Sequence, residues 1–107
     1  MAAQNPLKIN IVLPTQRKNH IGQVTPIQPG DITGMRFVFD GNMGSPIDVQ
    51  FVGQAFGLDG LKEYSSLSPG NHTMQVAVLT KYGVGAFTDA LSFTLTSVAD
   101  APVVSFA

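Results

Sequence analysis

Few residues of this chain could carry out acid–base chemistry. The sequence has two histidines, His20 and His72, and no cysteine. Hydrolytic catalysis by side chains needs a nucleophile, a base and an acid that orients the base. His72 lies in an alternating run of apolar residues, so we interpret it as a corner histidine that bonds nearby backbone. His20 follows Arg17 and Lys18, where solvent or an interface would surround it. We therefore expect no catalytic residues and predict that the protein is not an enzyme.

Metal and cofactor sites are also not indicated. The carboxylates are scattered, and none lies in an Asp-x-Asp run: Asp40, Asp48, Asp59, Glu63, Asp89 and Asp100. Calcium takes about six to eight oxygen ligands, so Asp40-Gly41-Asn42 is better interpreted as a turn. Without cysteine, thiolate zinc sites and disulfides are excluded. Gly83-Val84-Gly85 opens no strand-to-helix unit and is not a phosphate loop. We expect no metal and no cofactor.

Charge is scarce in this chain. Only 12% of the residues are Asp, Glu, Lys or Arg, against a usual share of about a quarter. A surface so short of charge is often covered by another protein, although a domain solvated by Ser, Thr and Gln is the alternative. The net charge of −1 is not that of a nucleic-acid-binding domain, which carries a basic face.

Membrane and export segments are not predicted either. No apolar run approaches the length of about 18 residues that indicates a membrane helix. The start "MAAQNPLKIN" lacks the basic n-region and apolar core of a signal peptide. We therefore expect no membrane association and a chain that stays in the cytosol where it is made.

The elements that must position these residues are β-strands. Several runs alternate apolar and polar residues, which is typical of half-buried strands. The apolar phases are Leu7, Ile9, Ile11 and Leu13; Met35, Phe37 and Phe39; Ile47, Val49 and Phe51; Met74, Val76 and Val78; and Leu91, Phe93 and Leu95. Turns are predicted at 40–46, 67–71 and 81–85, and residues 57–67 form a turn or short helix at most. The 107 residues are predicted to form one all-β domain, an antiparallel sandwich.

Two segments do not fit the strand pattern. Residues 14–30 hold three prolines and the densest basic cluster, Arg17, Lys18 and His20, and we expect them to form an irregular arm or long loop. Arg17 and Lys18 could hold a phosphate or an acidic partner, while a solvated loop is the alternative. Residues 100–107 form an apolar tail, whose Val103, Val104 and Phe106 would be exposed on an isolated domain.

The hairpin "LSPGNHTMQVAVLTKYGVGAFTDALSFTL" resembles the last two strands of immunoglobulin-like and fibronectin-III-like domains from phage virions and bacterial surface proteins. In that family the penultimate strand follows an L-x-x-G-x-H pattern, and a Gly-containing turn leads to a last strand ending in F-x-V or F-x-L. The matching residues are Leu67, Gly70, His72, Met74, Val76, Val78, Gly83, Gly85, Thr88, Phe93 and Leu95. "FVFDG" at 37–41 and "DAPVV" at 100–104 extend the likeness, whereas the tryptophan and cysteines of many such domains are lacking.

The resemblance implies an immunoglobulin-like β-sandwich of about seven strands and a function in binding or structure. The favoured function is an accessory subunit of a phage virion, whether a decoration, cement or tail-associated protein. Such a subunit would be present in many copies or as a homo-oligomer, and would bind capsid or tail proteins through Arg17, Lys18, His20, Val103, Val104 and Phe106. The alternative is an adhesive module of a bacterial cell surface, where Phe56, Tyr64 or Tyr82 could stack on a sugar.

Overall fold

The computed structural model describes residues 3–107 and is mostly β, with 41% strand and 7% helix. The strands are β1 (Ala3–Gln4), β2 (Lys8–Asn10), β3 (Gln16–Lys18), β4 (Val24–Pro26), β5 (Ile32–Phe39), β6 (Ile47–Val49), β7 (Ala55–Gly57), β8 (Gly70–Thr80), β9 (Gly83–Val84) and β10 (Leu91–Leu95). A 3₁₀ helix (Leu58–Gly60) and a one-turn helix α1 (Lys62–Ser65) lie between β7 and β8. The all-β prediction is confirmed, as is the short helix within 57–67. No helix among the described residues is long and apolar enough to cross a membrane.

The main sheet has the strand order β1-β10-β8-β5-β6, and β9 pairs with the end of β8. The longest strand, β8, lies at the centre between β10 and β5. Arg36 of β5 lies opposite Asp48 of β6, and its Nε and Nη2 donate to the carboxylate at 2.7 and 2.9 Å. This two-bond ion pair favours the observed register at the sheet edge, since a shifted register would part the two charges.

One face of the main sheet forms the core. The alternating pattern places Phe37, Val76 and Phe93 inward from three adjacent strands, and all three are buried. A second layer covers them, made of the β2–β7 pair, the 3₁₀ helix and α1; its buried side chains are Leu58, Leu61 and Tyr64. Phe56 of β7 joins the layers, with its ring centroid 5.2 Å from that of Phe37 and 5.0 Å from that of Phe51.

Two predicted core positions are wrong. Leu7 and Leu91 were assigned to the inward phase, but both are exposed. Leu7 precedes β2, where the strand has not yet begun, although its carbonyl accepts a hydrogen bond from the N–H of Leu58. Leu91 opens β10 where the second layer no longer covers the sheet, and it lines an open cleft instead. Alternation gives the direction of a side chain but does not reveal where the covering layer ends.

One strand pairing departs from the antiparallel expectation. β1 pairs parallel to β10, with Ala3 opposite Phe93. Parallel neighbours need a long connection, and here it is most of the chain. Asn5, at φ 47°, holds this junction: its N–H donates to the carbonyl of Thr94, and its side chain bonds both the N–H and the hydroxyl of Thr96. The start of the described chain is thereby fixed to the end of the last strand.

The arm at 14–30 is not irregular throughout, which corrects the expectation. β3 and β4 within it form an antiparallel hairpin, with Arg17 opposite Thr25. The carboxamide oxygen of Asn19 accepts hydrogen bonds from the N–H groups of Ile21 and Gln23 at 3.1 and 3.0 Å, and Gly22 has a φ of 81°. A glycine with positive φ and an Asn side-chain bond to its own turn are typical hairpin chemistry. Hairpin pairing therefore satisfies backbone groups that a loop would leave to solvent.

The tail at 100–107 has no secondary structure and is exposed throughout. Val103 is 102%, Val104 82% and Phe106 106% exposed. The molecule measures 77 × 25 × 23 Å, with a radius of gyration of 18.2 Å, whereas a compact domain of this length has a radius near 13 Å. We infer that the long axis comes from the chain after β10, which has no secondary structure and is exposed.

Candidate functional site

An open groove runs beside the second half of β8. Its lining comes largely from residues 9–20 and 83–91, together with β8 itself. Backbone bonds fix the second of these segments, since the N–H groups of Gly85 and Thr88 donate to the carbonyls of Val78 and Val76 at 2.8 and 2.9 Å. We call this feature the β8 groove.

The β8 groove has an apolar part and a basic part, which share Pro14, Val78 and Ala86 in their walls. The apolar part, of about 280 Å³, is lined by apolar side chains, of which Met35 and Val76 are buried, Ile9 and Ile11 half-buried and Leu91 exposed. The basic part, of about 880 Å³, is lined by the β3–β4 hairpin, the end of β8 and the loop that follows it, among them Arg17, Lys18, His20, Thr80 and Tyr82. The groove is therefore continuous but changes in character along β8.

Arg17 is the fixed cation of the basic part. Its guanidinium carbon lies 3.7 Å from the centroid of the Tyr82 ring, a cation–π contact. Its Nε atom is buried and has no hydrogen-bond partner among residues 3–107. A buried N–H without a partner is costly.

Asp31 contacts Tyr82 through a hydrogen bond from the Tyr82 hydroxyl. This carboxylate is 4% exposed. It accepts hydrogen bonds from the N–H of Gln28 at 2.9 Å and the hydroxyl of Tyr82 at 3.3 Å, and it pairs with Lys81 Nζ at 3.1 Å. The N–H of Gln28, followed by Lys81, lowers the pKa of Asp31, and the carboxylate in turn raises the pKa of Lys81.

The charge of Asp31 is thus matched by Lys81, and the other cations have no acidic neighbour in the groove. None of the residues that line the basic part is Asp or Glu, as far as the structure describes the chain. Arg17 and Lys18 therefore give this part, which His20 also lines, a positive potential that favours an anionic group. The three basic residues predicted from the sequence do come together around one groove.

Two members of this arrangement were missed by the sequence analysis. Asp31 was passed over among the carboxylates, and Tyr82 was considered only as a sugar platform. Asp31 follows Pro29-Gly30 and has the local pattern of a turn residue, which gives no sign of burial. Its side-chain partners Lys81 and Tyr82 lie about 50 positions later, and no local pattern could have joined them to it.

His72 is not free to act as a base. Its Nδ1 lies 2.8 Å from Oδ2 of Asp40, and its Nε2 lies 2.7 Å from the carbonyl oxygen of Ser68. Both partners are acceptors, so the doubly protonated ring satisfies both. The hydrogen bond to Asp40, and then the one to Ser68, raises the pKa of His72. The backbone bond agrees with the prediction of a corner histidine.

Asp40 completes this corner from a turn with φ 54°. Its Oδ1 accepts a hydrogen bond from the N–H of Thr73 at 3.0 Å. Burial raises the pKa of Asp40, but the bonds from His72 and Thr73 outweigh burial and lower it overall. The His72 ring stacks on Phe93, with centroids 5.7 Å apart. The corner joins the end of β5, the turn before β8 and the core.

The remaining predicted residues, Val103, Val104 and Phe106, do not line the β8 groove. They lie on the tail, and the structure gives them no contact that would bury them. Within residues 3–107, no group of three His, Asp or Glu side chains is close enough to hold a metal ion. The candidate site therefore consists of the β8 groove and, apart from it, an exposed apolar segment.

Comparisons with known proteins add no family to this picture. Models of protein families, curated proteins and solved structures were compared with the chain, and none of the three comparisons gave a match.

Proposed function

We propose that the protein is a non-enzymatic accessory subunit of a larger protein assembly, and that this assembly is a phage virion. In it the protein would act as a decoration, cement or tail-associated subunit. The observation that carries the proposal is the tail, where Val103, Val104 and Phe106 are exposed almost completely. Removing such side chains from water is favourable, at about 25 cal/mol per Å² of apolar surface. The domain offers them no cover of its own, so a partner protein is the natural source of that burial.

The finer fold proposal is an immunoglobulin-like sandwich. Two layers of strands enclose the core, although the second layer is reduced to β2, β7 and short helices. His72 joins the turn before β8 to the body of the sheet, a position where related sandwiches use a tyrosine corner. Both features support the likeness on which the virion assignment rests.

The non-enzymatic part of the proposal is supported by the state of the candidate groups. Both ring nitrogens of His72 are hydrogen-bonded, and Asp31 is neutralised by Lys81. His20 lines a groove without a carboxylate to orient it. Such groups bind and position rather than transfer protons.

The adhesive alternative is less well supported. A sugar-binding platform needs an open aromatic face, whereas the guanidinium of Arg17 lies 3.7 Å from the Tyr82 ring centroid. Tyr64 is buried, and its hydroxyl donates to the carbonyl of Pro6. Two of the three aromatic candidates are therefore occupied by the protein itself.

Sedimentation tests the proposal. The protein is followed through a density gradient of extract from cells that produce it naturally, and the fractions are inspected for particles by electron microscopy. We expect it to sediment with particles whose mass is far greater than the 11.3 kDa of the chain. A Phe106→Asp variant should stay at the top of the gradient, whereas Tyr82→Phe, which leaves the tail unchanged, should sediment normally. Retention on cell envelopes or on a glycan array, without particles, would support the adhesive module instead.

A further inference from the structure

We propose that the tail of one copy, residues 96–107, binds in the β8 groove of a second copy, so that copies associate head to tail. This inference deepens the proposed function and rests on it, since it names a copy of the same chain as one partner of the subunit. It is carried by three observations: where the tail leaves the sheet, what the groove is lined with, and how the tail residues are spaced.

The tail leaves the sheet at the end opposite to the basic part of the groove. Leu95, the last residue of β10, lies opposite Gly70, the first residue of β8. The basic part lies around Thr80 and Tyr82, at the other end of β8. About ten residues of β-strand separate these ends, or about 33 Å. From the 77 Å long axis we infer that the tail continues outward, away from the groove of its own chain.

The tail and the groove have complementary chemistry. The sole charged residue of the segment "TSVADAPVVSFA" is Asp100. In an extended chain alternate residues share one face, so Asp100, Val104 and Phe106 project together while Val103 projects to the opposite side. One face of the tail therefore carries an acidic group followed by two apolar groups. The β8 groove has the same order, basic and then apolar.

The spacing of the two patterns agrees. In the tail, Asp100 and Val104 are four residues apart, which is about 13 Å in an extended chain. In the groove, Thr80 of the basic part and Val76 of the apolar part are also four residues apart along β8. A tail that entered from the Tyr82 end would place the carboxylate of Asp100 near the guanidinium of Arg17, which lines the basic part. Val104 and Phe106 would then cover the apolar side chains of the groove that are not buried, among them Ile11 and Leu91.

This geometry joins two different surfaces. Such a contact is heterologous, so it forms rings or open chains and does not stop at a two-fold dimer. An extended segment that fills a gap in another copy's fold is also a known mode of protein assembly. The tail would be ordered on binding, and Pro102 lowers the entropy lost in that step.

Sedimentation velocity of the purified full chain tests the inference. We expect the mean mass to rise with concentration above the monomer mass. Val104→Asp should weaken association at least tenfold, and Val103→Asp, a matched change on the opposite face, should weaken it less than threefold. Asp100→Lys and Arg17→Glu should each weaken association, and the two together should restore at least half of the lost affinity. A chain that stays monomeric at every concentration, or equal loss in the Val103 and Val104 variants, would overturn the inference.

A mixing experiment fixes the head-to-tail arrangement. One variant has a defective tail, Val104→Asp with Phe106→Asp, and the other has a blocked groove, Ala86→Trp, at the position that both parts share. Each variant alone should be monomeric, and a mixture of equal amounts should give heterodimers and no larger species. A mixture that remains monomeric refutes the arrangement. If it fails while the natural protein still sediments with particles, the tail binds another subunit, and the proposed function stands without this inference.

Discussion

Replacing Phe93 by Ala tests the packing of the core, because this side chain joins the main sheet to the helical cover. Phe93 is 3% exposed. Its ring lies against three others, with centroid distances of 6.3 Å to Phe39, 5.8 Å to Tyr64 and 5.7 Å to His72. The change removes a buried ring and leaves a cavity at the point where β10, α1 and the His72 corner meet.

The magnitude follows from these contacts. Burial of a phenylalanine side chain contributes about 1.5–3 kcal/mol, and each aromatic pair adds about 0.5–1.5 kcal/mol. The contributions of adjacent rings are not additive, and measured Phe-to-Ala changes in cores cost about 3–5 kcal/mol. For a domain of this size each kcal/mol shifts the melting temperature by about 4 °C. We therefore expect Tm to fall by about 12–20 °C.

The assay is thermal unfolding followed by far-UV circular dichroism, with Phe106→Ala as the matched control. The control makes the same chemical change at a side chain that is 106% exposed, so its Tm should stay within about 2 °C of the parent protein. If Phe93→Ala melts together with Phe106→Ala, the phase of β10 assigned here is wrong and the packing argument fails with it.

Three other changes test the backbone and the charge networks of Asp31 and His72, each by thermal unfolding. Gly34→Ala should lower the free energy of unfolding by about 1–3 kcal/mol, because a Cβ at this position would collide with the carbonyl oxygen of Val49. Gly30→Ala is the control, since a Cβ there meets no atom within 4 Å. If the two variants melt at the same temperature, the close approach at Gly34 is absent. Because the pKa of His72 is raised in the folded protein, its contribution to stability is complete below about pH 6.5 and is lost as pH rises through the folded pKa. His72→Gln should therefore lower the free energy of unfolding by about 0.5–1 kcal/mol more at pH 6 than at pH 9. A cost that does not depend on pH would contradict this. The lowered pKa of Asp31 predicts the opposite trend. Asp31→Asn should lower Tm at pH 7, and the Tm difference from the parent protein should shrink as pH falls below about 3.9. A difference that stays the same at low pH would count against the network.

The core could be predicted from sequence because its information is local. A β-strand has a period of two residues, so the alternation around Phe37, Val76 and Phe93 fixed their direction without knowledge of neighbours. The turns were equally readable from Asp-Gly and Pro-Gly pairs. The extent of the second layer over the main sheet could not be predicted from the sequence, because it depends on where β2 and β7 end.

The candidate site was only half predictable. The basic cluster of Arg17, Lys18 and His20 stood out by composition. The hairpin that carries this cluster could not be predicted, because it has few inward apolar residues. Arg17 packs against Tyr82, 65 positions later in the chain. A contact between residues so far apart in the sequence produces no periodic pattern. The prediction of an irregular arm followed from prolines that in fact lie at strand ends and in the adjoining loops.

The placement of β1 has a mechanical consequence. Asn5 ties β1 to the backbone of Thr94 and Thr96, directly before the point where the chain leaves the sheet. A tensile load applied between the tail and the far end of β8 would act along the strands, because β10 and β8 are antiparallel and would be pulled from opposite ends. The five residue pairs between Leu91 and Leu95 on one side and Met74 and Gly70 on the other would then share the load in shear, and would not open one after another. β1 adds a second line of hydrogen bonds to β10, so we expect the domain to resist extension along its strands.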